Sequence, residues 1–133
     1  GDVYKRQGQE TPVTLKRAIQ DIEKAVGKGN VGINLDPANL IMYGKANPVD
    51  ALEVFGEYVM GIHGKDGKYP TDGHHLGDEV PLGQGKVNYS AFIAKLKEIG
   101  YQGDITIERE ISGEEQKKDI RMAKELLDKL IAE

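Results

Sequence analysis

Three side chains able to ligate a cation or move a proton recur at matching places in the chain: Asp36 in "VGINLDPANL", His63 in "YVMGIHGKD" and Glu108 in "DITIERE". Each closes a short apolar run of strand character, and each separation fits one helical crossover between parallel strands. Aspartate, histidine and glutamate on adjacent strand ends can converge on one divalent cation, with oxygen and imidazole donors suited to Mn²⁺, Mg²⁺, Co²⁺ or Zn²⁺. Each residue also has a plainer reading. Asp36 before Pro37 can start a turn or cap a short helix through Asn39, His63 can be a half-buried hydrogen-bonded histidine, and Glu108 beside Arg109 can be an exposed charge. Three such coincidences together favour a shared metal or polar site.

These residues need elements to hold them. Val31, Ile33 and Leu35 alternate with Gly32, Asn34 and Asp36, so Asn34 and Asp36 share one face and Pro37 ends the strand. A second strand is predicted over about 58–63 and a third within "GDITIERE", where Glu108 shares the face of Thr106. Lys65, two residues beyond His63, is a candidate for contact with a substrate oxygen or phosphate, as are Asn34 and Asp66. A solvated loop lysine is the alternative for Lys65. Between the strands lie helices. Thr11 caps and Pro12 opens one whose stripe is Leu15, Ala18, Ile19, Ile22 and Val26, stopped by Gly27 or Gly29. Asn47 and Pro48 open another, and "NYSAFIAKLKEIG" carries Phe92, Ile93, Leu96 and Ile99 before a left-handed stop at Gly100. The last begins with a capping box, Ser112 to Glu115, and carries Ile120, Ala123, Leu127 and Leu130.

The stretch from Gly64 to Val87 is glycine-rich, polar and too long to be an idle connector. Within it His74 and His75 are adjacent, so their side chains diverge in extended backbone and surface exposure is expected. "GQGKV" at 83–87 offers glycines that let backbone amides approach a phosphate, but it lacks the full dinucleotide pattern. Glu79 either reaches the site or pairs with a nearby lysine.

With 133 residues, 38% of them hydrophobic and 30% charged, the chain has the makeup of one soluble globular domain, and nothing in it approaches a membrane span. A net charge of −4 argues against electrostatic binding to nucleic acid. The absence of cysteine removes disulfides, thiolate metal sites and a cysteine nucleophile, and a cytoplasmic location is the default. The opening "GDVYKRQ" has no helical or strand period and joins abruptly to a strongly periodic segment, so residues 1–7 are expected to be a leader foreign to the fold.

Helices alternating with three strands argue for a parallel sheet with right-handed crossovers. Three strands cannot close a barrel, and a (β/α)8 barrel needs roughly 250 residues. An open sheet would leave two edges and the strands' inner faces without partners, so a partial barrel is the preferable architecture.

At the same residues the chain resembles the C-terminal half of the xylose isomerase-like TIM barrels, the sugar phosphate isomerase and epimerase group. The likeness runs from Gly8 to the C-terminus through "GQET", "VGINLDPANL", "VMGIHGKDGKYPTD", "EVPLGQGKVNY" and "LKEIGYQGDITIEREISGEE". It implies α/β architecture in which the three strands are about the sixth to eighth of a partial (β/α)8 barrel. It also implies one divalent metal held by two glutamates, an aspartate and a histidine; Asp36, His63 and Glu108 match three of these. The first glutamate is expected at the end of the fifth strand, within "VYKRQ", where there is no acid and Arg6 stands about in its place. Replacement of native residues at a truncation or cloning junction is the expected cause.

The implied chemistry is proton transfer next to a carbonyl through an enediolate, with Glu108 as both ligand and acid/base group and a sugar, keto-sugar or sugar phosphate as substrate. This half-barrel would be inactive alone. A metal-dependent polyol dehydratase or lyase could use the same ligands. A non-catalytic half-barrel that binds metal weakly, or forms a homo-oligomer through its open edges, is the third reading. Endonuclease IV shares the barrel, but three histidines, two of them adjacent, are too few for its histidine-rich zinc site.

Overall fold

A computed structural model describes the backbone of residues 3–6 and all of residues 10–133. In chain order the elements are β1 (Val3–Arg6), α1 (Pro12–Val26), β2 (Val31–Leu35), α2 (Pro37–Met42), α3 (Pro48–Phe55), a 3₁₀ turn at Gly56–Tyr58, β3 (Val59–Gly64), β4 (Asp66–Gly67), β5 (Glu79–Val80), α4 (Tyr89–Glu98), β6 (Ile105–Ile107) and α5 (Glu114–Ala132). The parallel sheet runs β1-β2-β3-β6, and β4 and β5 form a separate antiparallel ribbon inside the long loop.

Local chemistry explains most of the boundaries. The Thr11 hydroxyl accepts from the Thr14 amide and Pro12 opens α1, whose end at Gly27 has φ +88°. Asn47 Oδ1 accepts from the amides of Val49 and Asp50 to start α3, and Asn88 Oδ1 accepts from Ala91 to start α4. The Ser112 to Glu115 capping box does not form. Gly113, at φ +85°, occupies the cap position of α5 without a side-chain hydrogen bond, so Ser112 is displaced one residue too early to reach the helix.

The helix α2 follows β2 directly, capped by Asp36, as one of the two readings of that residue expects. One further element departs from the sequence expectation. The backbone of Val3–Arg6 is a strand in register with Val31–Asn34, where no strand was expected. Four residues of mixed polarity show no period of their own, and pairing to β2 is what defines the strand. The remainder of the expected foreign leader, together with the Arg6 side chain, lies outside the described residues.

Helices α1, α3, α4 and α5 pack successively against one another in the same order as their strands, covering one face of the sheet. The core between them includes Leu15, Ile19, Ile33, Leu35, Phe55 and Phe92, all fully buried. Parallel strands joined by helices on one side, with β1 and β6 left as edges, are part of a barrel wall. Among the described residues no helix is long and apolar enough to cross a membrane.

Candidate functional site

The site is built by strand register. Asn34 stands opposite Gly61, and His63 opposite Thr106, in neighbouring strands. Because side chains alternate faces, Asn34 and Asp36, Gly61 and His63, and Thr106 and Glu108 line the same face at successive strand ends. The register slips by one residue between β2 and β3, at Ile33 and Asn34, and that irregularity brings Gly61 beneath the Asn34 side chain. A Cβ at Gly61 would lie 2.5 Å from Asn34 Oδ1, so only glycine admits this approach. Glu108 lies one residue beyond β6, yet its amide donates to Gly64 O at 3.0 Å and continues the ladder.

The three expected ligands stand as two pairs instead of one cluster. His63 Nδ1 is 2.5 Å from Glu108 Oε1, with both side chains about a quarter exposed (22% and 26%). Asp36 is fully buried. Its Oδ1 accepts from the Asn39 amide at 3.1 Å, so the plainer reading, a cap on a short helix, holds for this oxygen. Its Oδ2 faces Lys65 Nζ at 2.9 Å but accepts no hydrogen bond of favourable angle. Among the described residues no three acidic or histidine side chains stand close enough together to hold a metal ion. The donor set nevertheless fits a divalent cation in kind. It offers a buried carboxylate oxygen without an aligned donor, an imidazole and a second carboxylate, all at neighbouring strand ends.

Lys65 is not a solvated loop lysine. Its side chain is 3% exposed and Nζ bridges Asp36 Oδ2 and, at 3.1 Å, Glu110 Oε1. Burial alone would lower the Lys65 pKa, but the nearby Asp36 charge, with Glu110 adding to it, outweighs burial and holds the ammonium above its ordinary range. For Asp36 burial dominates and raises the carboxyl, against the opposing pull of Lys65, and the Glu108 charge adds to the rise. The Lys65 backbone is fixed by Tyr89, whose hydroxyl accepts from the Lys65 amide at 3.0 Å and donates to the Lys65 carbonyl at 2.5 Å.

Asp66, expected to contact substrate, organises the loop. It is fully buried, Oδ1 accepts from the amides of Gly67 and Val87, and Oδ2 accepts from those of Gly83 and Gly85. The "GQGKV" amides therefore do gather around an anion, but it is the chain's own carboxylate and not a phosphate. A Cβ on Gly85 would come within 2.3 Å of Asp66 Oδ1, which is why that position is glycine. Glu79 pairs with Arg109 at 3.2 Å, not with a lysine, and accepts from the Glu110 amide; Arg109 Nε in turn donates to Asp119 on α5 at 2.8 Å. His74 and His75 are exposed, and both backbone amides donate to Asp72.

Glu110 and Tyr89 escaped the sequence reading. Glu110 follows Glu108 by two residues in "ERE", a spacing that could have marked it. Tyr89 carries no comparable signal, because one hydroxyl at the start of a helix is ordinary.

Comparison with known proteins agrees with the fold. The profile of the xylose isomerase-like TIM barrel matches residues 5–130. A xylose isomerase domain protein from Planctomyces limnophilus, a solved structure, is 42% identical with a TM-score of 0.86, covering 97% of this chain and 46% of that one. A D-tagatose 3-epimerase-like protein is 26% identical with a TM-score of 0.66, covering 98% and 47%. An uncharacterized protein of Methanocaldococcus jannaschii is 32% identical over 99 residues, which is 74% of this chain and 31% of that protein. The chain thus spans less than half the length of these relatives. Two solved structures that share the fold, at 19% and 24% identity, have magnesium and zinc bound. With strand ends, helical layer and profile in agreement, the chain belongs to the xylose isomerase-like TIM barrel family.

Proposed function

We propose that this chain is the C-terminal half of a metal-dependent isomerase or epimerase acting on a sugar, keto-sugar or sugar phosphate. The observation that carries the reading is the placement of Asp36, His63 and Glu108 on one face at the C-terminal ends of β2, β3 and β6, where parallel α/β barrels build their sites. Asp36, His63 and Glu108 would hold the ion, with a further carboxylate contributed from outside this set. The bound ion would supply Lewis-acid stabilisation of negative charge developing on substrate oxygens.

Glu108 is the group to carry a proton. It is partly exposed on the open face, so a substrate carbon can approach it, and its partner His63 holds the carboxylate in place. Asn34, half-buried on the same face, is placed to orient a substrate hydroxyl. A dehydratase acting on a related polyol would draw on the same acid/base group, and a non-catalytic half-barrel remains the alternative for the isolated chain.

The test uses the chain within its complete barrel, supplied with Mn²⁺ and a panel of ketoses and their phosphates in D₂O. Deuterium at the carbon beside the carbonyl, with substrate mass otherwise conserved, is the expected result. Loss of water from the substrate would assign the dehydratase reading instead. No exchange and no product across the panel would contradict both enzymes.

A further inference from the structure

We infer that Lys65 is a displaceable internal counter-ion for the metal site: its ammonium neutralises Asp36 in the metal-free chain and withdraws to Glu110 when a divalent cation takes the carboxylate. The inference rests on the proposed metal site and adds to it a residue that opposes metal binding. Three observations carry it. The first is that Asp36 and Lys65 are both withdrawn from solvent, 0% and 3% exposed, so neither charge has water as an alternative partner. A buried carboxylate left unpaired is strongly unfavourable, which gives the metal-free chain a reason to keep a cation here.

The second observation is alignment. Lys65 Nζ reaches Asp36 Oδ2 at 2.9 Å, yet that oxygen accepts no well-directed hydrogen bond. The ammonium compensates charge without consuming the acceptor's directional capacity, so the oxygen is still suited to ligation. The third is that Lys65 already has somewhere to go. Nζ lies 3.1 Å from Glu110 Oε1, and the Glu110 side chain is 63% exposed, so a lysine leaving Asp36 keeps an anionic partner at the surface. Tyr89 grips the Lys65 backbone at both its amide and its carbonyl, which fixes the root of the side chain and confines any movement to the four-carbon stem.

A divalent ion on Asp36 and an ammonium 2.9 Å away would repel, so Lys65 and the metal compete for one carboxylate. Replacing Lys65 by methionine keeps the stem's volume and removes the charge. The metal-free chain should then be less stable, while affinity for the cation should rise. A residue with a purely structural role would have the opposite effect or none, since a loosened site binds more weakly.

The experiment is a calorimetric Mn²⁺ titration of this chain and of its Lys65→Met variant, with thermal melts of each, without and with saturating Mn²⁺. The expected result is an Mn²⁺ dissociation constant roughly tenfold lower in Lys65→Met, given the cost of an unpaired buried charge, and a larger Mn²⁺-induced rise in melting temperature. A Lys65→Arg variant, which keeps the charge, should bind no more tightly than the parent chain. If Lys65→Met does not fold without metal, Mn²⁺ should fold it, and failure to do so overturns the inference. Equal or weaker Mn²⁺ binding by a folded Lys65→Met overturns the counter-ion role while leaving the metal site standing. Absence of Mn²⁺ binding by both chains overturns the metal site and the counter-ion role together.

Discussion

His63 Nδ1 lies 2.5 Å from Glu108 Oε1, joining the end of β3 to the residue just beyond β6 across a gap of 45 residues in sequence. Beside it, Lys65 joins the end of β2 to Glu110 in the same way. Two polar crosslinks thus tie three strand ends on the one face where the polar residues of the sheet collect.

Removing one member of the buried pair should be costly, and removing both much less so. Asp36→Ala leaves the Lys65 ammonium buried beside nothing but a partly exposed glutamate, with an expected loss of about 3–5 kcal/mol. It also deletes the cap on α2, adding roughly 1 kcal/mol. In the Asp36→Ala/Lys65→Met double variant much of the first loss should return. Urea denaturation of the two single variants and the double variant measures this coupling, and strictly additive losses would show that the pair does not interact.

Asp66 holds the long loop. Asp66→Ala strips the acceptor from the amides of Gly83, Gly85 and Val87 as well as Gly67, with an expected loss of about 3 kcal/mol or more. Amide hydrogen exchange should accelerate at those positions before it does in α4. Gly85→Ala should produce the same pattern, because its Cβ would collide with the Asp66 carboxylate.

Alkaline pH should destabilise the chain through Tyr89 and Lys65. Burial chiefly, with the charge of Asp66 adding to it, raises the Tyr89 phenol well above its ordinary value of 10.0, and the net effect at Lys65 is also upward from 10.5. Both groups hold their protons more tightly folded than unfolded. Their stabilising contribution is therefore complete below pH 10 and is lost as pH rises through the folded values. Tyr89→Phe should cost about 1–2 kcal/mol at neutral pH through the lost hydrogen bonds, and should reduce the decline in stability between pH 9 and pH 11. An unchanged decline would remove Tyr89 from this account.

Arg109 links the loop to the last helix through Glu79 and Asp119, and its side chain is only 14% exposed. Arg109→Met should cost about 2–3 kcal/mol, since it strands Asp119, which is 4% exposed, without its partner. Differential scanning calorimetry checks it; a change within 0.5 kcal/mol, the range of ordinary surface substitutions, would show that the bridge is dispensable.

The legible parts of this fold are those written in short-range chemistry. Thr11-Pro12, Asn47-Pro48 and Asn88 announce helix starts through cap and first-turn preferences, and the alternation of Val31, Ile33 and Leu35 announces β2. The shared strand-end placement of Asp36, His63 and Glu108 is legible because each ends an apolar run. What escaped depends on long-range partners. The strand at Val3–Arg6 is defined by its pairing with β2, and Gly113 displaced the capping box by a change of backbone hand that Ser112 and Glu115 do not encode. Asp66 reads as a substrate contact because an acid after a histidine and a lysine carries no sign of the three loop amides that come to meet it from seventeen to twenty-one residues away. Lys65 reads equally as a substrate contact or a solvated loop lysine, because nothing local shows that Asp36 and Glu110 converge on it.

The most direct measurement is Mn²⁺ binding by this chain compared with its Asp36→Asn, His63→Ala and Glu108→Gln variants, read by isothermal titration calorimetry beside circular dichroism to confirm folding. The account predicts one site in the parent chain, weakened roughly tenfold or more by each substitution, in line with loss of a metal ligand. Folded variants that bind Mn²⁺ as the parent does would contradict it.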